Sequence, residues 1–154
     1  MLKKEIEKIF TFVVNEKNEL LLLKGGPNDP QFMESFWYVV TGSCEDYDND
    51  YLDAVKREVK EETNLDVLES TYLNWIFKYH SLGDDCVERV YFSKVKKDTI
   101  ILNEESIGYK WCELEEFVDL IKWYEDKNIL IKVLKDAFEN KVYFKEEQIE
   151  EYLN

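Results

Sequence analysis

Three glutamates near the middle of the chain have the spacing of a carboxylate cluster. If Glu58, Glu61 and Glu62 belong to a helix, they stand at positions i, i+3 and i+4 and share one helix face. Like charges this close repel each other, whereas a hard divalent cation binds carboxylate oxygens and turns the repulsion into binding energy. The spacing predicts a divalent cation site or, equally well on these residues alone, a solvated acidic helix face.

The segments on either side of these glutamates favour the cation site. An aromatic and β-branched run at 36–41 leads into Gly42, and Thr63-Asn64 is a stop signal ahead of the apolar Leu65. The predicted order is therefore strand, glycine loop, acidic helix over 50–63, short loop and strand.

This order and spacing resemble the Nudix box of the Nudix hydrolases, the MutT-like pyrophosphohydrolases. That motif reads Gly, five residues, Glu, seven residues, then Arg-Glu-aliphatic-x-Glu-Glu-x-Gly-aliphatic. Its first position fits Gly42, with one extra residue before the second half. The second half is matched by six residues: Arg57, Glu58, Val59, Glu61, Glu62 and Leu65.

The chain departs from the motif at two positions. The early Glu, which in the family supports the loop and the Arg, has three candidate counterparts in Asp48, Asn49 and Asp50. Asp48 and Asn49 are also the predicted N-caps of the helix. The late Gly is Asn64, and Asn is the next-best residue for a left-handed helix cap.

The resemblance implies an α/β fold of the Nudix type, a mixed sheet between helices (α/β/α), in a single domain over residues 1–154. It implies cleavage of the phosphoanhydride bond of a nucleoside diphosphate linked to a group X. Mg²⁺, or Mn²⁺ in its place, would be held by Glu58, Glu61, Glu62 and the backbone carbonyl of Gly42. A bound divalent cation neutralises phosphate charge and makes water nucleophilic near neutral pH.

Further site residues follow from the same resemblance. Arg57 would orient the catalytic glutamates, although it is equally a candidate for an ordinary helix pair with Asp53 or Glu61. The proton of the attacking water would go to Glu62 or to Glu105, which precedes Trp111 by six residues, a spacing also similar to the family. The competing outer carboxylates lie near a predicted hairpin turn: Asp84, Asp85 and Glu88.

Two substrate contacts are also predicted. Arg89 would reach a phosphate from mid-strand, with an ordinary surface position as the alternative. Trp37 would stack on a base, as would Trp75 or Phe77, but aromatic residues in strands more often belong to the core.

Composition restricts the partners. The chain has 154 residues, 45% hydrophobic and 15% aromatic, and a net charge of −14, so we expect a globular protein that repels nucleic acid and anionic membranes. Three scattered cysteines (Cys44, Cys86 and Cys112) and no apolar leader predict a reducing cytoplasm. The lone His80 argues against histidine-based metal clusters and triads.

Three functions remain open from the sequence. The first is a Mg²⁺-dependent hydrolase of an NTP-like or dNTP-like substrate, since 40–43 is similar to the dihydroneopterin triphosphate and (d)NTP branches; a nucleotide sugar or ADP-ribose is the alternative substrate. The second is a catalytically impaired nucleotide-binding sensor. The third is an acidic interaction protein, and a homodimer is left open in each case.

The remaining pattern predicts the elements that position these residues. Predicted strands lie at 8–14, 19–24, 36–41, 65–68, 71–79 and 86–95. Predicted helices lie at 50–63, 113–123, 126–138 and 145–153. A connecting loop is predicted at 25–30.

Overall fold

Eight strands and three helices make up the part of the chain that the computed structural model describes, residues 5–25 and 36–152. The predicted loop at 25–30 lies outside the described residues after Gly25. The elements, in chain order, are β1 (Glu5–Val14), β2 (Leu20–Gly25), β3 (Phe36–Tyr38), β4 (Val40–Ser43), α1 (Tyr51–Thr63), β5 (Val67–Ser81), β6 (Asp84–Val95), β7 (Ser106–Cys112), α2 (Leu114–Leu120), α3 (Lys127–Phe138) and β8 (Gln148–Tyr152).

The strands form one mixed sheet with β1 near its centre. β1 pairs in parallel with β6 and antiparallel with β4, and β6 pairs antiparallel with β5. β8 adds to β5 in parallel. A second arm, β3-β2-β7, joins β1 through the single register pair of Val14 and Leu20.

Apolar residues on both faces of β1 place it between two cores. Ile9 and Val13 pack on one side with residues of α1, whereas Phe10 and Phe12 pack on the other with residues of α2 and α3. Because successive strand residues point to opposite faces, a strand covered on both sides is apolar at nearly every position, and Thr11 is the one polar residue in the buried part of β1. The sheet therefore lies between helices, as the predicted α/β/α class requires.

Helix α1 occupies the span predicted for it to within one residue. Its C-cap is Asn64, in the left-handed region with φ 72°, as its substitution for glycine indicated. The predicted N-caps, Asp48 and Asn49, were wrong: Asp50 caps the helix by accepting from the backbone N–H of Asp53. Asp48 is turned to Arg57 instead, and Asn49 donates to the Asp53 side chain.

Other element predictions need correction. The strand predicted at 36–41 is interrupted at Val39, because β3 pairs with β2 whereas β4 pairs with β1. The two strands predicted at 65–68 and 71–79 are one, β5, with a register shift between Tyr72 and Ile76. Helix α2 is shorter than the predicted 113–123.

The helix predicted at 145–153 was wrong, since this segment contains β8. Its Glu150 accepts hydrogen bonds from Trp75 Nε1 at 2.7 Å and from the Tyr124 hydroxyl at 2.8 Å. These contacts and the pairing with β5 are tertiary, so local helix periodicity could not predict them. No helix in the described part of the chain is long and apolar enough to cross a membrane.

Candidate active site

Gly42 lies directly against the carboxylate of Glu58. It is the third residue of β4, which pairs with β1 through Ile9, and α1 packs beside this pair. A Cβ atom on Gly42 would come within 2.1 Å of Glu58 Cδ and 2.2 Å of Oε1, closer than any real contact. Glycine is therefore required here because the carboxylate approaches the backbone.

Arg57 holds two of the three clustered glutamates. Its Nη1 donates to Glu58 Oε1 at 2.8 Å and to Glu61 Oε2 at 3.3 Å. Its Nη2 also donates to the Ser43 carbonyl at 2.9 Å, which fixes the guanidinium against the end of β4. The helix pair with Glu61, predicted as an alternative, is thus one contact of a larger network.

Asp48 holds Arg57 from the opposite side. Arg57 Nε and Nη2 donate to its two carboxylate oxygens at 3.1 and 2.9 Å, the bidentate geometry that suits a guanidinium. This contact holds the pKa of Asp48 below its usual range, and its side chain is only 5% exposed. The sequence left three candidates for this position, and only long-range packing distinguishes them.

Glu62 is the most buried member of the cluster. The residue is 7% exposed, and Oε2 has no hydrogen-bond partner among the described residues. Burial, followed by the charges of Glu105 and Glu58, raises its pKa well above the usual range. An unpaired buried carboxylate oxygen is costly, so a partner from outside the described residues, such as a cation, would stabilise it.

Glu105 is brought to Glu62 by the connection between β6 and β7. It is exposed, and its carboxylate Oε2 accepts from Asn103 Nδ2 at 3.0 Å. Glu62 and Glu105 both line a cavity of about 110 Å³. The other lining residues are Leu23, Gly25, Phe36, Tyr38, Val39, Thr41 and Ser106.

The donor set fits a hard divalent cation. All side-chain donors in the cluster are carboxylate oxygens, and the orphaned Glu62 Oε2 beside like charges is the feature that a cation would satisfy. Within residues 5–25 and 36–152, no group of three or more acidic, cysteine or histidine side chains is arranged so that it could hold a metal ion as it stands.

A larger cavity of about 340 Å³ adjoins the first and shares Phe36, Tyr38 and Thr41 with it. Its remaining lining residues are Lys8, Phe77, Tyr79, Glu88, Lys122, Trp123 and Tyr152. Two of these residues, Phe77 and Glu88, are candidates from the sequence, but the sequence does not predict that they share a cavity. The sequence does contain a hint of this cavity. Glu88, Val90 and Phe92 are alternate residues of one strand and so share a face, which places a charged residue on an otherwise apolar face.

The two predicted substrate contacts lie elsewhere. Arg89 forms an ion pair with Glu7, and its guanidinium is 4.5 Å from the ring centroid of Tyr51. Trp37 packs beside Lys24, whose Nζ is 5.5 Å from its ring centroid, and it lines neither cavity. Its neighbours Phe36 and Tyr38 line both cavities, since adjacent strand residues face opposite ways.

Comparison with known proteins agrees with this geometry. A family model described as the NUDIX domain matches residues 7–134. The fold is similar to the MutT protein from Methanosarcina mazei Go1, with 23% identity, a TM-score of 0.68, and coverage of 92% of this chain and 99% of that one. No curated protein matches the sequence.

Two further solved structures share the fold. An Ap4A hydrolase from C. elegans is 22% identical, with a TM-score of 0.65 and coverage of 88% of this chain and 98% of that one. The NUDIX domain of Shewanella oneidensis NrtR, complexed with ADP ribose, is 15% identical, with a TM-score of 0.68 and coverage of 89% and 90%.

Proposed function

Because the chain belongs to the NUDIX domain family, we propose that it is a Mg²⁺-dependent hydrolase of a nucleoside diphosphate linked to X, with an NTP-like or dNTP-like substrate. Family, fold class and enzyme class are as predicted from the sequence. The observation that carries the cation requirement is the buried Glu62 Oε2, which has no hydrogen-bond partner within residues 5–25 and 36–152. Mn²⁺ would serve in place of Mg²⁺, because both take carboxylate oxygens.

The roles of the chain's own residues follow from their contacts. Glu58, Glu61 and Glu62, with the Gly42 carbonyl, would hold the cation. When bound, the cation neutralises charge on the phosphoanhydride and lowers the pKa of water. Arg57 is a positioning residue, since it fixes Glu58 and Glu61 and is itself fixed by Asp48.

Glu105 is the proposed acceptor of the proton from the attacking water. Its exposed carboxylate shares the smaller cavity with Glu62, which would be committed to the cation. Glu62 is the alternative acceptor. Glu105→Gln should lower kcat with little change in Mg²⁺ affinity, whereas Glu62→Gln should weaken both; equal kcat in wild type and Glu105→Gln would transfer the role to Glu62.

The two adjoining cavities support a substrate with an anionic part and an aromatic part. The smaller, carboxylate-lined cavity would take the cation-bound phosphates, and the larger has the volume and aromatic walls typical of small-molecule sites. Ap4A, the substrate named for the C. elegans hydrolase, and ADP ribose, bound to the Shewanella oneidensis domain, belong among the alternatives to be tested.

A substrate panel tests this function. Nucleoside triphosphates, ADP-ribose, a nucleotide sugar and Ap4A would each be incubated with Mg²⁺, and the phosphate-containing products would be separated by chromatography. Cleavage gives pyrophosphate or phosphate from a triphosphate, AMP and ribose 5-phosphate from ADP-ribose, NMP and a sugar phosphate from a nucleotide sugar, and two nucleotides from Ap4A. Wild type should turn over at least one substrate and Glu62→Gln none. Glu116→Gln is the matched control, since Glu116 pairs with Lys110 on the surface. No turnover, combined with a large rise in melting temperature from one compound, would indicate the sensor instead.

A further inference from the structure

Glu88 is a buried carboxylate that the proposed hydrolysis does not use. It is 4% exposed and lies in β6, on the face of the sheet opposite α1. In the described part of the chain its recorded partner is Tyr79, whose hydroxyl donates to Oε2 at 3.1 Å. A carboxylate offers about four acceptor positions, so most of its capacity is unused.

Glu88 borders the larger cavity. Glu88 lines this cavity together with the rings of Tyr38, Phe77, Tyr79 and Trp123. Phe77 and Trp123 lie against each other, with ring centroids 5.1 Å apart. A buried acceptor among aromatic walls is costly when empty and is satisfied by a flat ligand that brings N–H donors.

Tyr79 keeps the acceptor in place. Its hydroxyl fixes one carboxylate oxygen of Glu88, and Lys8 Nζ lies 5.9 Å from the Tyr79 ring centroid. Burial raises the pKa of Glu88 to about 7, so the group is an ionised acceptor at about pH 8. The carboxylate is thus a fixed acceptor and not a mobile surface charge.

Within the substrate of the proposed hydrolase, we propose that Glu88 selects a planar heterocycle that presents two adjacent N–H donors, the 2-amino-4-oxopyrimidine edge of guanine or of a pterin. The ring N–H and the exocyclic amino group point the same way, so they match the two oxygens of one carboxylate. This inference rests on the proposed function, because the edge must belong to a substrate whose phosphates reach Glu62.

Other common bases fit less well. Adenine places an acceptor nitrogen beside its amino group, and uracil places carbonyl oxygens on both sides of its N–H. Each would set an acceptor against a carboxylate oxygen. Hypoxanthine keeps the ring N–H of guanine and lacks only the amino group, so inosine triphosphate is the sharpest comparison.

The test compares kcat/KM for GTP and ITP at about pH 8 in three proteins, with the pH chosen to ionise Glu88. Wild type should prefer GTP by about tenfold or more, the value of one hydrogen bond to a charged group. Glu88→Gln should bring the ratio close to one, whereas the surface change Glu116→Gln should leave it unchanged. Dihydroneopterin triphosphate in the same assay separates a pterin from a guanine preference.

A binding measurement separates failure of this inference from failure of the hydrolase. GDP and IDP titrated into wild type and Glu88→Gln in EDTA, where metal-dependent cleavage of their own phosphoanhydride bond stops, report the edge preference without turnover. If wild type alone binds GDP more tightly than IDP and hydrolyses no substrate, the role of Glu88 is supported and the proposed hydrolase activity is rejected. Turnover with equal GTP and ITP rates would overturn the inference alone. If Glu88→Gln fails to fold, Tyr79→Phe replaces it, and an unchanged ratio there would also contradict the role of the fixed carboxylate.

Discussion

At the scale of single residues, the approach of Glu58 to Gly42 is the tightest constraint in the site. The contact places a carboxylate of α1 against the backbone of β4, and any side chain on Gly42 would occupy the same space. The obstructed atoms are the end of a flexible side chain, so the fold can survive a substitution that the carboxylate position cannot. The same feature makes Gly42 a clean test of geometry.

Gly42→Ala should leave the fold intact and lower activity. The new methyl group would push the Glu58 carboxylate aside, and a misplacement of about 1 Å costs about a hundredfold in rate. Gly108→Ala is the control, since among the described residues its Cβ would meet only Lys24 Cβ, at 3.9 Å. Circular dichroism and kcat for both variants check this; equal activities in the two would show that the Glu58 position is not critical.

Glu88 carries the clearest pH dependence of stability. Burial raises its pKa from the usual 4.5 to about 7 in the folded protein. Below pH 4.5 the group is neutral in both states and burial costs nothing extra. As the pH rises through this window, the unfolded chain ionises first, so the free energy of unfolding falls by up to about 3 kcal/mol.

Glu88→Gln should abolish the fall in the free energy of unfolding that ionisation of Glu88 causes. Its free energy of unfolding relative to wild type should increase between pH 4.5 and about 7 and then level off. Urea unfolding at several pH values measures the difference, without nucleotide or divalent cation. A difference that stays constant across the window would show that Glu88 titrates normally.

At the scale of elements, the loop between β4 and α1 acts through Asp48. Its side chain accepts from the Glu45 backbone N–H at 2.8 Å and from Arg57, so it joins the loop to the helix. The extra residue of this loop is absorbed by Asn49 and Asp50, which bind the first turn of α1. The longer loop therefore still places a carboxylate, that of Asp48, against Arg57.

Asp48→Asn should weaken this connection. An amide keeps one acceptor oxygen but sets an N–H₂ group against the guanidinium, so we expect a loss of about 1–3 kcal/mol of stability. Partners that orient metal ligands typically contribute about 10–100-fold to activity. Asp46→Asn, at an exposed position two residues away, is the control. Equal kcat/KM in the two variants would mean that Arg57 does not need Asp48.

The elements also show which predictions a sequence can support. Helix α1 and its Asn64 cap were predictable because the spacing of Glu58, Glu61 and Glu62 and the stop signal are local. The break at Val39 and the strand β8 were not, since each depends on pairing with strands distant in sequence. The choice of Asp48 depends on how the loop before α1 folds back onto Arg57, and the cavity at Glu88 depends on which side chains the sheet brings together.

At the scale of the whole molecule, the net charge of −14 makes cation binding a global as well as a local effect. Divalent ions screen all surface carboxylates, but only the cluster at Glu62 holds an unpartnered buried oxygen among the described residues. Binding of a divalent cation at this cluster must therefore be distinguished from general screening of the surface charge.

Mg²⁺ should raise the melting temperature beyond what ionic strength explains. At a hundredfold excess over Kd the gain is about 2.7 kcal/mol, or about 5–10 °C for a chain of this size. Millimolar Mg²⁺ would be compared with EDTA plus NaCl of equal ionic strength, in wild type and Glu62→Gln. A shift of the same size in both proteins would assign it to screening.

The proposed function requires that this carboxylate cluster direct water to the phosphorus of a phosphoanhydride. Hydrolysis of the best panel substrate in ¹⁸O-water, followed by mass spectrometry of the products, shows which atom the water attacks. Wild type with Mg²⁺ should place one ¹⁸O per turnover in a phosphate-containing product, and Glu62→Gln or EDTA should abolish the labelled product. Products without label on phosphate, or equal labelling by Glu62→Gln, would contradict the claim.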